Sequence, residues 1–482
     1  MNFDGALLRF ALFLVLIGAM FSCQRRPEPE SPSATTPVST LSTTTTQQVQ
    51  TATHEPPAAT VMPLPAGPTS VRSEMGDDIQ SVSMVVTNGL IVDGTGGDPI
   101  SDGFVAIQGN RIVAVGQAAD FKIPDDAVVI DAAGGTILPG IINAHVHNSN
   151  AVGTRRVLFL LDGVTSVCDL GIPLFMMKGF EEEGFKAGPA ARGFKAGSVI
   201  TAPDGYPGYY MGRAMNYEIQ GEDEAEMAVL DLHSRGVDYI KVVLEPGYYG
   251  ENLPVINVEE LRAVVSTAHA NDLLVRAHVT KSDMLDIALE AGVDVIEHVP
   301  IGSETTEYLE AMIDEAGDIH LPLEVETKIL RMIEQGITLV PTLEVYLADP
   351  YLLKAIQPET DVLNHAVFQA ILGVVRFYHD SGGVIALGND YGNPGVESGM
   401  PLREMDLLKS AGLSPIEVIE AATRNAAIVC GHGEELGTLE EGKLADLIVV
   451  DGNPLDDLNA MDSVSYIVKD GELVLLPEQV GK

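Results

Sequence analysis

Five side chains able to hold a divalent cation sit at the ends of short apolar runs. "IINAHVH" ends in His145 and His147, "LLVRAHV" carries His278, "VDVIEHV" carries His298, and "GVIALGND" ends in Asp390. Imidazole nitrogen and carboxylate oxygen are the donors that zinc-like ions take. Histidines at i and i+2 on a strand project to one side, so His145 and His147 can grip one ion together. His278 and His298 are 20 residues apart, about one helix-plus-strand step, which would set them on neighbouring strands at similar height. A lysine joins them. Lys241 lies in "VDYIKVVLEPG", with Tyr239 and Ile240 before it and Val242, Val243 and Leu244 after. A charged amine inside a buried strand is costly unless it is paired or chemically altered. Each residue alone has a bland reading as a satisfied core histidine, a surface pair or a turn aspartate. Their joint order along the chain is the signal. His233, His269, His320, His365, His379 and His432 fall in helical or loop stretches and read as surface or structural.

The elements that would position these residues form a repeating pattern. From Ile141 to about Val429, eight strand-like runs alternate with helical stretches such as "NVEELRAVVSTAHAND" and "KSDMLDIALEAG". That alternation predicts an α/β fold with a (β/α)8 barrel over 139–431, whose active site would form at the C-terminal ends of the strands. Ser303–Leu323 is long for a connection and reads as a lid or insertion. Residues 81–138 and 432–480 are β-rich, with turns at Asn88-Gly89 and Gly109-Asn110. They predict a small β-sandwich built from both ends of the chain.

The N-terminus reads differently. Leu7–Met20 is an apolar run of 14 residues broken only by Arg9, which is short for a membrane span and suits a signal-peptide core. It leads into "MFSC", which resembles a bacterial lipoprotein cleavage site and would place a lipid on Cys23; a simple secretory signal and a membrane anchor are the alternatives. Residues 24–80, rich in Pro, Ser and Thr and including His54, predict a disordered tether. The chain is thus expected to be exported, to the cell envelope or beyond. With 28 basic and 69 acidic residues the net charge is −41, which argues against nucleic acid or anionic lipid headgroups as partners. Only Cys168 and Cys430 remain in the mature body. They make no disulfide framework and no zinc-finger spacing, and Cys168 is expected simply to pack on its strand.

The chain resembles the amidohydrolase superfamily, and within it the prolidase and imidazolonepropionase-like branch. The resemblance runs from about Val82 to Leu475 and rests on "IVDGTGGDPISDGFVAIQGNRIVAVG", "TILPGIINAHVH", "AHVTKSDMLDIALEAGVDVIEHV", "ALGND" and "GTLEEGKLADLIVVDGNPL". It implies two divalent ions, commonly zinc. His145, His147 and Asp390 would bind the first ion, His278 and His298 the second, and an N6-carboxylated Lys241 would bridge them. Departures are Asn143, where relatives usually have Asp, the "GND" in place of "GTD" or "GSD", and "VTKSD" after His278, which brings Lys281 near the pocket.

The expected reaction is amide hydrolysis by a metal-bridging hydroxide, with Asp390 as general acid and base. A dipeptide-like small molecule is the expected substrate by resemblance, with cyclic amides, lactones and phosphoesters as alternatives. A mononuclear imidazolone-type hydrolase or deaminase would not need Lys241, and a non-catalytic metal- or solute-binding lipoprotein would not need Asp390. Seven of the 13 tyrosines fall between Tyr206 and Tyr249, so they should rim the pocket. Tyr248 and Arg213 are candidates to bind a substrate carboxylate or amide. Self-association is left open.

Overall fold

The computed structural model describes residues 82–147, 149, 155–186, 190–248, 251–347 and 365–474. The expected signal segment with Cys23 and the Pro/Ser/Thr-rich tether lie outside the described residues. Among the described residues no helix is long and apolar enough to cross a membrane.

The chain begins with β1 (Met84–Ile91), β2 (Ile100–Gln108), β3 (Arg111–Gln117), β4 (Val128–Asp131) and β5 (Thr136–Pro139). Next come β6 (Ile141–Val146), β7 (Val164–Asp169), β8 (Arg192–Lys195), β9 (Val199–Thr201), β10 (Asn216–Glu218), β11 (Ile240–Leu244), β12 (Val275–Val279), β13 (Val295–Glu297) and β14 (Thr338–Val340). It closes with β15 (Leu447–Val450), β16 (Val464–Lys469) and β17 (Glu472–Val474). The first five and last three strands share one eight-stranded sheet, ordered β17-β16-β15-β5-β1-β2-β3, with β4 also paired to β1. Strand β15 joins the two chain ends by pairing antiparallel with β5, Leu447 opposite Pro139. Its alternation serves two cores. Leu447 and Val449 pack among Ile91, Val105 and Ile137, whereas Ile448 and Val450 face the main core, as the two-residue period of a strand requires.

Between these ends the strands are parallel. β6-β7-β8 form one sheet and β10-β9-β11-β12-β13-β14 another. Every residue of β6, β7, β11 and β12 is buried, the near-continuous burial of parallel strands covered on both faces. Helices α1 (Glu222–Ser234), α2 (Val258–His269), α3 (Ser282–Ala291), α4 (Leu323–Glu334) and α5 (Ala366–Asp380) alternate with them. α2 shows why such segments fold. Asn257 and Glu260 form a capping box, and Leu261, Val264, Val265 and Ala268 bury one face. α3 stops at Gly292, whose φ of 82° supplies the left-handed C-cap. The whole is a TIM-barrel-like α/β fold.

Two of the eight expected strands differ from simple ribbons. "FKAGSVITAP" divides into β8 and β9, separated by Gly197 at φ 73°. The eighth run forms no strand of its own; Ile385 bridges Leu339 and Tyr391 bridges Val146. Backbone bonds still run from Ala386 N to Leu339 O (3.0 Å) and from Ala144 N to Leu387 O (2.9 Å), so the segment is tied to both β14 and β6. The two cysteines require a correction. Cys168 on β7 and Cys430, both fully buried, are joined in a disulfide with their Cα atoms 6.2 Å apart. A separation of 262 residues hides the proximity in the sequence; only the fold brings the pair within bridging range.

Candidate metal centre

The strand ends bring the six metal-site candidates to one place. β11, β12 and β13 lie in parallel register, with Lys241 opposite Arg276 and His278 opposite Glu297. The rings of His278 and His298 are 4.3 Å apart between centroids, those of His145 and His298 5.0 Å, and those of His145 and His147 5.2 Å. Asp390 Oδ1 lies 3.2 Å from His147 Nε2 and 3.4 Å from His145 Nε2, and its Oδ2 lies 4.0 Å from His298 Nδ1. Donor atoms of His145, His298 and Asp390 fall within 4.8 Å of one another, a group able to hold a metal ion. His147, Lys241, His278, His298 and Asp390 line one cavity of about 280 Å³.

The electrostatics fit a cation. His145 Nε2, Lys241 Nζ and Asp390 Oδ1 are buried without a hydrogen-bond partner. Leaving such an atom unsatisfied costs about 1–3 kcal/mol, so three around one point indicate a group that completes them. Burial pushes the His278 and His298 imidazoles well below their ordinary range, and their charged neighbours do not reverse this. His145 is lowered by burial too, against the pull of Asp390 and Glu297. Neutral imidazole is the form that ligates. Burial alone would raise the Asp390 carboxyl, but His145, His147 and His298 outweigh it and hold the group far below the usual carboxylate range. Burial also lowers the Lys241 amine to about 8, although Glu297 and Asp390 oppose the shift.

Beneath this centre lies a supporting layer that the sequence reading missed. Glu297 Oε2 accepts from His145 Nδ1 (2.7 Å) and its Oε1 from Arg276 Nε (2.6 Å), which fixes the ring with Nε2 on the Asp390 side. Burial would raise the Glu297 carboxyl; Arg276, His145 and Lys241 hold it well below its ordinary value. His298 Nδ1 meets the Thr342 hydroxyl at 2.7 Å, and the Tyr248 hydroxyl meets His278 Nε2 at 2.9 Å. Glu245 Oε2 lies 3.5 Å from His278 Nε2 and accepts from the Thr280 hydroxyl. A signal for Arg276 and Glu297 existed: each is a charge inside an apolar run, as Lys241 is. His298 (φ 71°), Thr342 (φ 48°) and Asp390 (φ 59°) adopt the left-handed backbone region, which costs non-glycine residues energy and gathers at functional sites.

The two asparagines that depart from the family pattern touch each other. Asn143 Nδ2 donates to Asn389 Oδ1 at 2.7 Å, and Asn143 Oδ1 accepts from the backbone N–H groups of His145 and Asn389, each at 3.3 Å. This buried amide pair ties the first histidine strand to the residue before Asp390. Of the two substrate candidates, Tyr248 lines the cavity and Arg213 does not. Arg213 is exposed and gripped by Glu218 at 2.5 and 3.0 Å, with Asp204 at 3.4 Å. The remaining described histidines stay outside the cavity. His269, His320, His379 and His432 meet Asp294, Asp314, Glu417 and Asp238, His365 caps α5, and His233 lies in the last turn of α1.

The profile of the amidohydrolase family matches residues 136–474, and the chain belongs to that family. It is 29% identical over 280 residues to an ochratoxinase of Aspergillus niger, covering 55% of this chain and 52% of that protein; the chain thus spans about half the length of that relative. It is 25% identical over 414 residues to an imidazolonepropionase of Alkaliphilus oremlandii, covering 78% of this chain and 91% of that one. A solved Xaa-Pro dipeptidase with methionine bound in its active site superposes with a TM-score of 0.65 at 25% identity, covering 81% of this chain and 99% of its own.

Proposed function

We propose that this chain is a binuclear metal-dependent hydrolase of carbon–nitrogen bonds in small amides, on a closed eight-stranded barrel with a β-sandwich beside it. The observation that carries the reading is Lys241: a buried amine with no hydrogen-bond partner, on one cavity wall with His147, His278, His298 and Asp390, with His145 beside Asp390. His145, His147 and Asp390 would hold one ion, His278 and His298 the other. A protonated amine would repel both. A neutral one could add to carbon dioxide: the N–C bond forms as one C=O π bond opens and the nitrogen gives up a proton, leaving an anionic carbamate that could take part in holding the ions. The lowered basicity of Lys241 favours that neutral form. When bound, divalent ions supply Lewis acidity and lower the pKa of water toward neutrality.

The chain's own residues do the rest. Glu297 holds the His145 ring, Thr342 orients His298 and Tyr248 orients His278. Asp390, whose Oδ1 lies between His145 and His147, would accept a proton and return it to the leaving nitrogen. Export also belongs to this reading, with Cys23 as the lipid attachment point. The Cys168–Cys430 disulfide supports it, because such bonds persist in oxidising compartments. A one-ion site has one observation in its favour, the tight His145–His298–Asp390 group.

The test strips the protein with a chelator and assays a panel of amides and dipeptides before and after restoring zinc, manganese or cobalt. Hydrolysis that disappears and returns with the metal is the expected result. A metal-replete protein that cleaves no C–N bond in the panel would overturn it.

A further inference from the structure

Around the metal-site residues, the cavity offers little to hold an anion. Its wall includes Val199, Val243, Val345 and Met215 and the rings of Tyr206 and Tyr346, and its other polar side chains, Thr280, Ser303 and Asn393, are uncharged. Among the described residues, Lys241 is the only lysine or arginine on that wall, and the metal reading uses it. The two cations that the sequence places near the pocket are engaged elsewhere. Arg213 is exposed and bound to Glu218 and Asp204, and Lys281 Nζ donates to Gly247 O at 2.9 Å. Away from the residues that would hold the ions, a carboxylate on this wall would give up its hydration without gaining a lysine or arginine among the described residues. The chain's charge of −41 also opposes its approach.

We infer that the substrate is a neutral amide with apolar or aromatic flanks, and not a dipeptide or acyl-amino acid bearing a free carboxylate. The inference rests on the amide-hydrolase reading and sharpens it. Valine and methionine side chains and tyrosine faces match an uncharged aromatic group, and about 280 Å³ suits a compact one. Hydrolysis breaks the C–N bond; water's oxygen goes to the acyl carbon and a proton to the nitrogen, giving an acid and an amine. The acid then ionises, and among the described residues the wall beyond the metal-site residues has no lysine or arginine to retain it.

The test uses the metal-loaded protein and a matched pair with one scissile bond each, para-methylacetanilide and para-carboxyacetanilide, beside the dipeptide glycyl-proline. The expected kcat/KM for the neutral anilide exceeds that for the carboxylated one by about tenfold or more, mainly through KM. Met215→Arg, a half-buried site on the cavity wall, should narrow or reverse that ratio by lowering KM for the carboxylated anilide. Preference of the wild type for para-carboxyacetanilide or glycyl-proline would overturn the inference and leave the hydrolase reading standing. An unchanged ratio in a folded Met215→Arg would also overturn it. Cleavage of none of the three by protein carrying its metal would overturn the hydrolase reading, and this inference with it.

Discussion

Arg276 and His278 share β12, and Glu297 and His298 are neighbours at the end of β13, yet the two layers they form are built on opposite terms. In the lower layer the Arg276 guanidinium bonds Glu297, Ala144 O (2.7 Å) and Val429 O (3.3 Å) and lies 4.8 Å over the Tyr239 ring. Its charge is answered within the protein. In the upper layer His145 Nε2, Lys241 Nζ and Asp390 Oδ1 are equally buried and unanswered. A protein that satisfies one buried polar layer completely and leaves the next open reserves the second for something it binds. The lower layer also orients the upper, since Glu297 touches both Arg276 and His145.

Mutations can break or sharpen that contrast. The largest loss of activity is expected from Asp390→Asn, which keeps the shape and removes the proton acceptor: kcat should fall about 10²–10⁴-fold. Steady-state kinetics on the metal-loaded variant checks this, and an unchanged kcat would remove Asp390 from proton transfer. Arg276→Met acts on the closed layer and should cost about 3–5 kcal/mol of stability, because it leaves Glu297 buried without its cation and with only His145 as partner. Urea unfolding measures it, and adding Glu297→Gln should recover part of the loss. Glu297→Gln alone links the layers. It should weaken metal binding about 10–100-fold with a smaller change in stability, read by competition with a chromophoric chelator.

The smallest expected effect lies farther out. Glu404 is fully buried and accepts backbone bonds from Leu343 (2.8 Å) and Glu344 (2.6 Å), yet burial pushes its carboxyl from 4.5 up to about 8. Its folded pKa is raised, so the folded state holds a proton that the unfolded chain releases. The contribution is full below pH 4.5 and is lost as pH rises through about 8. Glu404→Gln should flatten that alkaline decline in unfolding free energy between pH 5 and 9; a slope identical to the wild type would contradict the assignment.

The upper layer was legible because polar residues interrupting apolar strand runs stand out, and because the strand period fixes which way they point. Arg276 and Glu297 carry the same mark, but a buried pair that satisfies itself has no ligand pattern to set it apart in the sequence. Arg213 misled, since its capture by Glu218 and Asp204 depends on a short irregular loop whose geometry no periodicity encodes. The break at Gly197 and the weak eighth strand were invisible for a related reason: both runs are apolar enough to read as strands, and backbone geometry decides the pairing. The disulfide is a purely tertiary fact. Asn143 and Asn389 read as two separate oddities 246 residues apart and turn out to be one contact.

Lys241 is proposed to complete a two-ion site. Metal content per chain, measured on wild type and Lys241→Ala purified identically, tests it most directly. Two divalent ions are expected in the wild type, and loss of one or both, with activity, in the variant. One tightly held ion in both proteins, with activity intact in the variant, would contradict it.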